Sequence, residues 1–105
     1  MDANRRKLLL DQFKQCQKHV KEILLKEWDP IGVADEPNAQ DEYDNYVAVI
    51  CGMLMRNEAK EKLFDHLWWI ETGHMGLLGN QAAREHTLAV VDRLIDLRNQ
   101  LETQS

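Results

Sequence analysis

Basic residues are missing from the whole stretch between Glu27 and Met55. That window holds Glu27, Asp29, Asp35, Glu36, Asp41, Glu42 and Asp44, while the entire chain carries a net charge of −5. An acidic chain of this kind makes a poor nucleic-acid binder, because neutralising phosphates takes clustered Lys and Arg. Cysteine is scarce too: Cys16 and Cys51 are the only two, against the denser patterns of disulfide scaffolds. Each sits in an apolar-periodic segment, which points to free, buried thiols. No apolar run approaches the ~20 residues of a membrane helix. Leu8-Leu9-Leu10 is far too short for a signal-peptide core. The expectation is a cytoplasmic protein with no membrane contact. Repeats and low-complexity segments are absent as well.

What the chain does contain is helical periodicity. Its 105 residues suit a single domain, 1–105, and 44% apolar content supplies one core. Leu9, Phe13, Cys16, Val20, Ile23 and Leu24 fall on one helical face and predict a helix over 3–28, ended by Pro30. Residues 29–40 carry two prolines, one glycine and two Asp and read as a turn-rich loop, with Ile31 and Val33 packing it onto the core. Tyr43, Val47, Ile50 and Leu54 predict a second helix from about 39–41 to 55, capped by Asn38 or Asp41. A third is expected over 58–72, with Asn57 as its cap and Gly73 as its stop. The fourth spans 81–102, capped by Asn80, with a broad apolar arc through Leu88, Val91, Leu94 and Ile95. The fold class is therefore all-α: a small four-helix bundle-like domain with a packed acidic loop between the first two helices.

Side chains with chemical capability are scattered. Glu58, Glu61 and Asp65 share one face of the third helix. Together with Glu42 they form a candidate Mg²⁺ set for hydrolysis of a phosphorylated small molecule. The adjacent-Glu pair of helical nucleotide pyrophosphohydrolases is missing, however, so caps and a solvated face explain the same acids. Glu71 and His74 have the spacing of a di-iron helix pair, but that site needs two such pairs and two further Glu. Cys16 and His19 lie one turn apart, yet nothing flags the orienting group or oxyanion site that a nucleophile requires. No catalytic residue and no cofactor is expected. Trp68 and Trp69 point about 100° apart on one helix. Trp69 therefore packs under the 73–79 loop or marks an interface, for which a homodimer is the concrete version.

The run Trp28-Asp29-Pro30-Ile31-Gly32-Val33, then Glu36-Pro37, then Asp41-Glu42-Tyr43-Asp44-Asn45-Tyr46 resembles a family of small bacterial proteins of unknown role. Ile70-Glu71 followed by Met75-Gly76-Leu77 is similar to that family's second half. The resemblance covers roughly residues 20–77 and implies a bacterial cytosolic helical domain with no established activity. The residues themselves support two readings of the corner. One is a rigid turn: Trp28 anchors it, Asp29 accepts hydrogen bonds, Gly32 supplies a positive φ, and Tyr43 and Tyr46 bond across the loop. The other is a docking surface for a basic protein, as in a toxin neutralised by an immunity-type protein. Its candidate residues are Trp28, Asp29, Asp35, Glu36, Asp41, Glu42, Tyr43, Asp44 and Tyr46.

Overall fold

A computed structural model of the chain describes residues 2–32, 35–39 and 41–103. Four α-helices make up most of it, and no strand occurs among the described residues. Helix α1 covers Asp2–Ile23, α2 Asp44–Met55, α3 Lys60–Trp69 and α4 Gln81–Thr103. Among the described residues no helix is long and apolar enough to cross a membrane.

The apolar stripes of the four helices meet in one cluster. Cys16, Val20 and Ile23 of α1 pack with Val47, Ile50, Cys51 and Leu54 of α2, with Leu63 and Leu67 of α3, and with Val90, Val91 and Leu94 of α4. Lys21 pairs with Asp44 at 3.0 Å, and Cys16 lies against Cys51, so α1 and α2 run antiparallel. Arg93 of α4 reaches Glu27 at 3.0 Å, and Lys60 of α3 pairs with Asp92 of α4. These exposed pairs help to set register, and solvent screens them.

Several helix ends differ from their expected places, for identifiable backbone reasons. The first does not: helix α1 continues as a wider turn, Leu24–Trp28, and ends there as expected, where Asp29 adopts a left-handed φ of 33° and its N–H bonds the Leu24 carbonyl at 2.8 Å. The chain breaks one residue ahead of Pro30, which cannot continue the hydrogen-bond ladder. Neither Asn38 nor Asp41 caps α2. A short 3₁₀ turn, Pro37–Ala39, and a further turn at 41–43 come first, and the helix opens at Asp44.

Asn57 closes α2 instead of opening α3. It takes a left-handed φ of 61°; its N–H reaches the Leu54 carbonyl, and the N–H of Glu58 reaches that of Met53. This is a Schellman closure, in which Asn is the usual substitute for Gly. Helix α3 runs through Gly73 in a second wide turn, Ile70–His74, and the positive φ falls at Gly76. Asn80 caps α4 as expected: its Oδ1 accepts the Ala83 N–H at 2.8 Å. Ile31 is 44% exposed and does not pack the loop down, and Val33 lies outside the described residues.

Candidate functional site

The acidic corner is built outward from Trp28. The indole is 2% exposed and packs against Tyr43, with ring centroids 5.4 Å apart, and edge-on to Tyr46 at 6.2 Å. Burying such a ring removes about 150–250 Å² of surface from water and makes it the main anchor of this end of the bundle. Its carbonyl, left without a helical partner at the end of the turn, accepts the Nε2–H of His86 at 3.1 Å.

Tyr43, itself 1% exposed, closes the corner from the other side. Its hydroxyl donates to Asp29 Oδ1 at 2.9 Å and accepts the Ile31 N–H at 3.3 Å. One phenol thus holds both sides of the turn, and Gly32, at φ 70°, completes it by donating its N–H to the Asp29 carbonyl. Burial pushes the Tyr43 hydroxyl well above the ordinary tyrosine range, and the Asp29 carboxylate adds to this.

Beyond this frame the chain advances in tight turns. The Ala39 N–H bonds the Glu36 carbonyl, the Glu42 N–H bonds that of Ala39, and the Asp44 N–H bonds that of Asp41. Asp35, Glu36, Asp41 and Glu42 are exposed on either side of the Pro37–Ala39 turn. The remaining acids of the window have structural duties: Glu27 binds Arg93, Asp44 binds Lys21, and Asp29 binds Tyr43. The structure therefore divides the nine expected contact residues. Trp28 and Tyr43 are too buried to touch a partner and serve as the frame. Tyr46 is half-buried against Trp28 and His74, and the outward-facing charge is carried by Asp35, Glu36, Asp41 and Glu42.

The expected metal set does not assemble. Glu58 is taken by Arg56 at 3.0 Å and Lys62 at 3.9 Å. Glu42, Glu61 and Asp65 do not join it: among the described residues, no group of three or more His, Cys, Asp or Glu is placed to hold a metal ion. Glu71 and His74 also diverge. Glu71 is buried on Thr87, whereas His74 is exposed and stacks on Trp69 at 6.0 Å. Cys16 is buried against Cys51, whereas His19 is exposed, and the hydrogen bond between the two thiols, together with burial, pushes the Cys51 thiol far up. Both cysteines are free. Trp69 is 58% exposed and stacks on the His74 ring, so the 73–79 loop does not bury it.

A second constellation was missed. Glu71 is 5% exposed and accepts the Thr87 hydroxyl hydrogen at 2.6 Å; Thr87 itself is fully buried. Glu71 follows Leu63 and Leu67 at i+8 and i+4, on the apolar stripe of α3. An acid in line with core leucines was the available signal. Compared with known proteins, the chain matches no family model, no curated protein and no solved structure.

Proposed function

We propose that this chain is a non-enzymatic interaction module whose acidic corner docks a basic protein surface, in the manner of an immunity-type protein. The supporting observation is the division of labour at the corner. Asp35, Glu36, Asp41 and Glu42 are exposed on a short run of turns, and the aromatic frame beneath is fixed in the core. Charge presented on a rigid support costs little ordering entropy on docking and steers a partner of opposite sign. Loops on rigid scaffolds are also where binding function concentrates.

The test is a partner capture from bacterial lysate at low and high salt, with wild type and a charge-reversed variant carrying Asp35→Lys, Glu36→Lys, Asp41→Lys and Glu42→Lys. Rim charges act through long-range attraction, which is screened beyond about 10 Å at 0.1 M salt. The expected result is a basic partner, retained at low salt and lost both at high salt and with the variant. A specific partner whose affinity ignores both salt and charge reversal would refute docking at this corner.

A further inference from the structure

Next to the corner lies a cavity of about 690 Å³ between the end of the turn that follows α1, the turn after α3 and the first turns of α4. Its volume falls within the ~300–1,000 Å³ of small-molecule sites. Trp28 and Trp68 supply aromatic walls, and Asp29 and Glu71 supply carboxylates. Among the described residues no Lys or Arg lines it.

One charged group in this wall asks for a partner, Glu71. It is 5% exposed, its side-chain partner is the Thr87 hydroxyl, and it makes no ion pair among the described residues. A nearly buried carboxylate facing only a hydroxyl favours a cation, since a buried charge is tolerated when it is paired. His86, whose Nε2 bonds the Trp28 carbonyl, makes no ion pair with Glu71 among the described residues.

We infer that this cavity binds a small organic cation, of the primary-ammonium class, through the Glu71 carboxylate. The ammonium group sits on Glu71, with Asp29 adding to the negative field. The carbon body lies on the part-exposed Trp68 ring, whose π face also attracts cations. The inference stands independently of the docking corner, whose exposed acids do not line the cavity.

The protein carries its own probe for the test. Of its three tryptophans, Trp28 and Trp68 line the cavity, and Trp69 is exposed elsewhere. In a Trp69→Phe background, intrinsic fluorescence is titrated with ethanolamine and with putrescine at constant ionic strength, and with 1,2-ethanediol as the neutral control. The expected result is saturable quenching by an amine and none by the diol. Glu71→Gln should weaken it by about tenfold or more, the worth of a charge-assisted hydrogen bond. Ala83→Leu, which fills the cavity from α4, should weaken it as much, and it decides the matter alone if Glu71→Gln fails to fold. No saturable response to either amine up to millimolar concentration overturns the inference. So does an amine response that folded Glu71→Gln or Ala83→Leu retains in full.

Discussion

Replacing Tyr43 by Phe removes a single oxygen and tests how the corner is held. The ring stays, so its packing on Trp28 is kept. What is lost is a donor to the Asp29 carboxylate at 2.9 Å and an acceptor for the Ile31 N–H at 3.3 Å. A hydrogen bond to a charged group is worth about 1.5–3 kcal/mol, and one between neutral groups about 1 kcal/mol. Ile31 lies in an exposed loop, so its N–H is rehydrated and most of the second contribution is recovered. The expected cost is therefore about 2 kcal/mol, equivalent to a fall in Tm of about 8 °C for a domain of this length. Urea unfolding at neutral pH measures it directly. Tyr43→Ala should cost more, about 3–5 kcal/mol, because the ring goes as well.

The same hydroxyl predicts an alkaline signature. Its pKa in the fold is raised by burial above the ordinary tyrosine value of 10.0, so the folded chain holds that proton more tightly than the unfolded one. The contribution is complete below pH 10 and is lost as pH rises from there toward the folded value. The stability difference between wild type and Tyr43→Phe should hence be flat from neutral pH to about pH 9 and shrink above pH 10. A loss below about 0.5 kcal/mol at neutral pH would show that water replaces the phenol bonds and that the turn stands without them.

Two further substitutions probe the ends of the elements. Asn57→Val should lower stability by about 1–2 kcal/mol, because the left-handed φ of 61° is unfavourable for a β-branched residue; Asn57→Gly should be near neutral, and urea midpoints separate the two. Gly79→Ala places a Cβ 2.7 Å from Trp68 Cζ2 and 3.0 Å from Thr72 Cγ2, and the forced shift should cost about 1–3 kcal/mol with a change in tryptophan emission.

The helices were legible because their apolar residues recur at the right period. Val47, Ile50 and Leu54, or Val91 and Leu94, end up buried where their spacing places them. The boundaries were less legible, since each depends on one residue's φ. Asn before an acid-rich helix reads equally well as an N-cap or as the left-handed end of the helix before it, and only the backbone separates the two. At the corner, a Trp and a Tyr among acids look like contact residues. The three-dimensional fold instead turns both inward, because each has more apolar surface to bury than the loop has elsewhere to put it. The Glu71–Thr87 pair escaped because its members are 16 residues apart: the line Leu63, Leu67, Glu71 signals a buried acid, but nothing near it names the partner. Pairing across helices is a tertiary property with no local trace.

Trp28 belongs to both surfaces, and this decides which substitutions are informative. One part of its surroundings is the Tyr43–Tyr46 frame under the acids; another is the cavity, and its carbonyl ties α1 to α4 through His86. Any change there disturbs the anchor of the bundle, at a cost of about 3–5 kcal/mol for Trp→Ala. A loss of binding in a Trp28 variant would therefore distinguish nothing. The charge of the two surfaces is separable, however. Asp35, Glu36, Asp41 and Glu42 reach solvent without lining the cavity, and Glu71 lines the cavity at 5% exposure. Reversing the first group should leave amine quenching unchanged, and neutralising Glu71 should leave salt-sensitive protein capture unchanged. Sites more than about 7–10 Å apart with no shared partner behave additively in this way, whereas coupling between the two effects would locate a shared partner at Trp28.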